Sequence, residues 1–378
     1  MKKLFVLTAA LAASIGFVSC NKTYTPAPDS GTEQPVGTIE VKINAFDDTK
    51  SALEGMKDYQ INQVQVFVFD ASKHLESYKF VNNLNAETST SLVLNTLTGE
   101  KTVYALVNHS RLNLTPGSTG ETLTAFEARL ADLGENGATN LVMSGRNTIT
   151  VTNVNDQGAI GTPQALNIFV KRLAACIQLN AVSVHFEGTS LSNATFTVKE
   201  IYLKNVVGKS PVGVTGNTGS AKSGITPIAL PDEQHNSTAN WYNKGKKEAG
   251  SPACIDDVYE QVCTVAGDST LLKRVLFAYP NKTAADSHES VFSARHTRLV
   301  IRAHVSKDAD GVDVDKDTYY VLNLPALEAN TIYKVENVNI TMLGKDDDNN
   351  DDDTGVGRIN PTITVDPWTG NRKLNYEF

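Results

Sequence analysis

Apolar and polar residues alternate with period two along most of the chain. Ile39, Val41 and Ile43 interleave with Glu40, Lys42 and Asn44, the pattern of a strand with one buried face. From Ile61 to Phe69 both faces are apolar, Val64, Val66 and Val68 on one and Phe67 and Phe69 on the other. Such a run predicts a central strand covered on both sides. Further strands are expected at Leu92–Leu94, Thr102–Asn108, Leu141–Ser144, Thr148–Val151 and Leu166–Val170. One helix is expected where Leu123, Phe126, Leu130 and Leu133 recur at helical spacing, with Thr124 and Glu127 placed for a capping box.

Beyond Arg172 the strand pattern resumes at Ala174–Phe186, Thr195–Lys204, Leu271–Tyr279, Thr297–His304, Thr318–Leu324 and Thr331–Leu343. Many strands and one short helix, placed in the first domain, predict a mainly β protein of two β-sandwich-like domains with antiparallel sheets. The expected divisions are a leader over 1–19, a tether over 20–37, β-domains over 38–170 and 171–343, an acidic linker over 344–360 and a tail over 361–378. Residues 205–265, rich in Gly, Ser, Asn and Lys, read as long loops on the second domain.

Both ends carry signals of their own. Lys2 and Lys3 precede an apolar stretch from Leu4 to Val18, and Ser19-Cys20 follows. This is the layout of a secretory signal peptide, too short for the ~20 residues of a membrane span. The cysteine resembles that of a bacterial lipobox, which predicts lipidation at Cys20. At the other end Ile363 and Val365 alternate ahead of Trp368, and Leu374, Tyr376 and Phe378 alternate after it. Termini usually fray, so an apolar alternating tail behind an acidic linker is expected to dock into something.

Composition removes several classes. Of 378 residues 40% are apolar and 20% charged, with net charge −8, which is globular composition without the basic footprint of a nucleic-acid binder. Beyond Cys20 three cysteines remain, Cys176, Cys254 and Cys263. They are read as small buried thiols with at most one optional disulfide. Gly208-Lys209-Ser210 lacks the earlier glycine of a phosphate loop, since Leu203 stands there. Asp286, His288 and Ser290 have no nucleophile elbow around them. Asp308, Asp310, Asp313, Asp315 and Asp317 mimic a calcium loop, but its sixth and twelfth positions are Asp313 and Tyr319 rather than Gly and Glu. That run is read as a solvated hairpin tip, and Asp346–Asp353 as a self-repelling linker. No catalytic residue, metal site or cofactor is expected, and the protein is not read as an enzyme.

A series of segments, in order along the chain, resembles the fimbrillins of Bacteroidales. It comprises Cys20, Thr38–Asn44, Val64–Asp70, Gly99–Asn108, Val142–Gly145, Val170–Ala175, Asn330–Val335 and the ending Val365-Asp366-Pro367-Trp368 … Asn375-Tyr376-Glu377-Phe378. The ending is most similar to that of minor-fimbrium shaft subunits. The resemblance implies two transthyretin-like β-sandwich domains and export as an outer-membrane lipoprotein, with palmitate among the lipids on Cys20. It also implies assembly by donor-strand exchange. An extracellular trypsin-like protease would cut between Lys50 and Ser51, with Lys57 as a second basic position, where family members carry Arg. The cut would release the first strand with Ile39, Val41 and Ile43. The groove left behind would accept Ile363, Val365, Trp368, Leu374, Tyr376 and Phe378 from another copy or another fimbrial subunit.

Two alternatives stay open at this level. A monomeric surface lipoprotein could bind glycan or host protein, with Trp241-Tyr242 stacking on a sugar. A fimbrial anchor would keep its first strand. The tail favours a shaft subunit.

Overall fold

The computed structural model describes residues 20–23, 36–45, 59–84, 89–117, 119–137, 139–152, 162–186, 189–216, 225–229, 241–242, 255–256, 261–263, 270–283, 296–309, 312–347, 363–367 and 375–376. For 20–23, 241–242, 255–256, 261–263, 270–273, 309, 312, 363–367 and 375–376 it describes the backbone alone. The chain is mainly β, with predominantly antiparallel sheets, as its alternation predicts.

The first half contains β1 (Cys20–Thr23), β2 (Val36–Ala45), β3 (Val64–Phe69), β4 (Leu75–Val81), β5 (Ser89–Leu97) and β6 (Gly99–Val107). After these come α1 (Leu123–Glu127), β7 (Leu130–Asp132), β8 (Met143–Val151) and β9 (Gln164–Arg172). Eight strands follow the order β1-β4-β3-β6-β8-β9-β2-β5. The path folds over on itself at β9. Residues Gln164–Val170 pair in parallel with β2, and only Lys171 and Arg172 pair with β8. At that corner a Cβ on Gly145 would lie 2.2 Å from the Phe169 carbonyl oxygen, so only glycine lets the two backbones approach. The result is two layers packed face to face. Val64, Val66, Val68, Val103, Ala105 and Val107 come from one layer, and Ile39, Val41, Ile43, Leu92, Leu94, Leu166 and Ile168 from the other.

The second face of β3 and β6 is covered too, as the two-sided apolar run predicts. Phe126 of α1 packs on Phe67, Phe69 and Tyr104 with ring centroids 4.5, 5.4 and 5.1 Å apart. This cluster continues without a break into the second half. There the strands are β10 (Ala175–Val184), β11 (Thr195–Lys204), β12 (Thr270–Ala278), β13 (Arg298–Ala309), β14 (Val312–Asn323), β15 (Thr331–Val335) and β16 (Val338–Ile340). The series ends with β17 (Ile363–Pro367) and β18 (Asn375–Tyr376). One sheet runs β12-β10-β15-β17-β18, with β16 also on β10, and another contains β11-β13-β14. Leu173 and Ala174, both buried, pass from the first set of sheets to the second.

Several local expectations need correction. The helix stops at Glu127, and its N-cap is Thr122, whose side chain accepts from the Ala125 amide. Leu130 lies in β7, which pairs with Lys209–Pro211. The capping box belongs instead to Asp132 and Glu135 in the 3-10 turn that follows. Tertiary pairing has overridden helical spacing. The stretch read as long loops includes Val206, Val207, Val212 and Val214, all fully buried, and it ties the two halves together. The acidic hairpin is longer than read. Asp308 faces Asp313 in a paired ladder, and His304 bonds to Asp315 and Asp317 at 2.9 and 3.0 Å, so these carboxylates lie along strands and not at a tip. Residues 20–23, read as tether, pair with β4. The start of the acidic linker is held as well, because Lys345 and Tyr319 exchange backbone bonds of 2.9 and 3.1 Å.

Candidate assembly site

β2 is an interior strand. On one side it pairs with β9 in parallel, Ile39–Ala45 against Gln164–Val170. On the other it pairs antiparallel with β5 over nine residues, Val36–Asn44 against Leu97–Ser89. Ile39, Val41 and Ile43 are fully buried, whereas Glu40 and Lys42 face solvent, as the alternation requires. At ~1.5–3 kcal/mol per buried side chain, the three residues together contribute about 5–9 kcal/mol. Taking β2 away leaves a slot whose walls are β9 and β5 and whose floor is the inward face of β3 and β6.

The cleavage pair Lys50-Ser51 and the second basic residue Lys57 fall between β2 and β3 and lie outside the described residues. Cys20 begins β1, whose backbone pairs with β4 from Cys20↔Phe80 to Thr23↔Ser77. Of the tail residues, Ile363 and Val365 lie in β17 and Tyr376 in β18, while Trp368, Leu374 and Phe378 lie outside the described residues. β17 is antiparallel to β15, with Val365 opposite Tyr333. β18 forms the outer edge of that sheet, with Tyr376 opposite Ile363. The described tail strands are therefore paired within the second half of their own chain, away from the ladders of β2.

Strands were expected at Leu92–Leu94 and Leu166–Val170, within β5 and β9, but β4 beside them was missed in the sequence reading. β4 reads Leu-Glu-Ser-Tyr-Lys-Phe-Val, without clean alternation, because Leu75, Glu76, Ser77 and Tyr78 are all buried. The Glu76 carboxylate accepts from the Leu97 amide at 2.7 Å and from Lys101 at 2.6 Å, and also from the Thr96 hydroxyl. A glutamate followed by Lys101 two strands later is the only sequence sign of this pair. A second polar group joins the halves. The Tyr104 hydroxyl donates to Glu127 and lies 3.0 Å from the Val214 carbonyl. Arg146 reaches Glu127 at 2.6 Å and the Gly216 carbonyl at 2.6 Å. Burial, reinforced by the carboxylate of Glu127, pushes the Tyr104 phenol well above its ordinary range.

Cys176 is fully buried; the side chains of Cys254 and Cys263 are not among those described. Trp241 and Tyr242 pair through their backbones with Val207 and Val206. Among the described residues no group of three or more His, Cys, Asp or Glu side chains is arranged to hold a metal, and no helix is long and apolar enough to cross a membrane.

The two layers close around β2 as an interior strand, and comparisons with known proteins concern this same part of the chain. The family described as Major fimbrial subunit protein (FimA) matches residues 37–220, a span that opens with β2. Three solved structures share the fold. A candidate cell adhesion protein from Parabacteroides distasonis superposes with a TM-score of 0.59 at 15% identity, covering 88% of this chain and 99% of that one. Another, from Bacteroides eggerthii, gives 0.55 at 17%, covering 89% and 98%. A fimbrilin from Porphyromonas gingivalis gives 0.53 at 17%, covering 88% and 97%. No curated protein matches the sequence. The family model covers just under half of the chain, and the solved structures share its fold at 15–17% identity.

Proposed function

We propose that this protein is the shaft subunit of a surface fimbria that polymerises by donor-strand exchange. It is exported as a lipoprotein and held at the outer membrane through Cys20. An extracellular trypsin-like protease cuts after Lys50 or Lys57, and β1 and β2 leave with the lipid. The open slot between β9 and β5 then receives the tail of another copy, with Ile363, Val365, Trp368, Leu374, Tyr376 and Phe378 taking the places of Ile39, Val41 and Ile43.

One observation carries this reading: an interior strand with every inward side chain buried is followed directly by a segment containing Lys50 and Lys57. The physics supports it. A vacated strand leaves unpaired N–H and C=O groups and an apolar trough, and an incoming strand supplies partners for both. The contact joins one end of a copy to a different surface of the next, so it does not close and repetition gives a filament. The linker supplies reach, at up to ~3.3 Å per residue.

The test is limited tryptic cleavage of the purified chain, followed by incubation and electrophoresis without boiling. The expected result is a ladder of detergent-resistant oligomers that is absent from Lys50→Ala/Lys57→Ala and from a chain lacking residues 361–378. Ladders from the truncated chain would overturn the proposal. A second reading, an anchor or monomeric lipoprotein that keeps β2, is favoured by the pairing of β17 with β15 inside one chain.

A further inference from the structure

Strand exchange raises a mechanical question about β5. Among the described residues its only strand partner is β2, so removal of β2 deprives β5 of its entire ladder. A strand with one partner is expected to come loose when that partner leaves, and a loose β5 would collapse the slot that the next copy must enter.

The structure holds β5 in another way. In an antiparallel pair, alternate residues direct their backbone groups away from the partner. In β5 the outward set includes Val93, Asn95 and Leu97, and side chains from β4 meet all three. Lys79 donates to the Val93 carbonyl at 2.8 Å, Ser77 donates to the Asn95 carbonyl at 3.0 Å, and the Leu97 amide donates to Glu76 at 2.7 Å. Glu76 is anchored in turn by Lys101 of β6 at 2.6 Å, and these two side chains are only 5% and 4% exposed. A buried ion pair is weak evidence for stability by itself, which makes its position informative. It sits where β5 turns into β6 through Thr98 and Gly99, the latter at φ +108°. Leu92 and Leu94 fix the inward face of β5 in the core.

Resting on the reading of β2 as a removable strand, we propose that Glu76, Ser77 and Lys79 are positioning residues for strand exchange. They form a side-chain latch that keeps β5 in register as the far wall of the groove while β2 is absent. All three lie downstream of Lys50 and Lys57, so the latch stays with the subunit when the first strands leave. The incoming strand of a second copy then meets a preformed slot, and the ordering cost of rebuilding β5 is avoided.

The test uses the full chain with a recognition sequence for a specific protease placed between Phe46 and Tyr59. After cleavage and removal of the upstream fragment, binding of two fluorescent peptides is followed by anisotropy, one spanning residues 36–46 and one spanning 361–378. In the cut parent protein the Leu97 amide is expected to stay protected from hydrogen exchange, while those of Leu92, Leu94 and Thr96, which face β2, become labile. Ser77→Ala/Lys79→Met should slow peptide binding by about tenfold, equivalent to ~1.4 kcal/mol. It should lower the melting temperature of the uncut chain only slightly, because β2 still holds β5 there, and Lys79→Arg should bind at the parent rate. Glu76→Met/Lys101→Met, which removes the buried charges and the acceptor together, should abolish protection at Leu97. Equal binding rates in parent and Ser77→Ala/Lys79→Met would overturn the latch and leave the groove standing. Failure of both peptides to bind the cut parent would overturn the groove reading and the latch with it.

Discussion

Replacing Ile43 with alanine separates the two states that strand exchange requires. Ile43 is fully buried and pairs with Ile168 across the β2–β9 ladder. Truncating such a side chain costs about 2–5 kcal/mol, the transfer of the lost methylenes plus the cavity they leave. At 1.4 kcal/mol per tenfold, the folded-to-unfolded equilibrium constant of the uncut chain should fall by a factor of roughly 30 to several thousand. In the fibre the same substitution should do nothing, because β2 has left. Ile168→Ala is the control, since Ile168 is equally buried on a strand that stays. It should weaken both states by a similar amount. The assay is urea denaturation of the purified uncut chain beside urea dissociation of assembled polymer, each for parent, Ile43→Ala and Ile168→Ala. The reasoning is refuted if polymer made from Ile43→Ala is weakened as much as polymer made from Ile168→Ala, because β2 would then still be in the fibre.

Further outcomes follow from the rest of the structure. Gly145→Ala puts a methyl 2.2 Å from the Phe169 carbonyl and should destabilise the folded chain by about 1–3 kcal/mol or more, read as a lower urea midpoint. Tyr104→Phe keeps the aromatic cluster but removes the hydroxyl bonded to Glu127 and close to Val214. It should cost about 1.5–3 kcal/mol and speed amide exchange across residues 209–216. Alkaline pH should unfold the protein in a defined window. Burial raises Tyr320 and Tyr333 from 10.0 to about 12, so between those values the unfolded chain has lost protons that the folded chain retains. Their contribution is complete below pH 10 and lost as pH rises towards about 12, seen as a falling urea midpoint over that range. Asp317 titrates at the other end. Hydrogen bonds from Arg302 hold it below the usual carboxylate range, so Asp317→Asn should flatten the acid limb of the same profile, present above about pH 4 and lost below it.

The β architecture was legible because alternation is a direct imprint of a buried face. Ile39, Val41 and Ile43 gave β2, and the two-sided run from Val64 to Phe69 gave a strand covered by α1 on one side and by β2, β5 and β9 on the other. β4 was not legible. Its buried Glu76 and Ser77 look like surface residues until their partners on β5 and β6 are known, and those partners are about 20 positions away in sequence. The helix was overextended because Leu130 and Leu133 keep helical spacing, while the Lys209–Pro211 strand that captures residues 130–132 is encoded some 80 residues later. The tail showed its alternation, but pairing partners are a property of the assembled sheet. Nothing in Ile363–Pro367 indicates that within one chain it adds to β15.

The central claim, that the first strands are removed before assembly, is tested most directly by the amino-terminal sequence of the protein sheared from intact cells. This account predicts a start at Ser51, or at Asp58 if Lys57 is the cut. Material that begins throughout at a lipid-blocked Cys20 would contradict it, since β2 would then still fill the groove between β9 and β5.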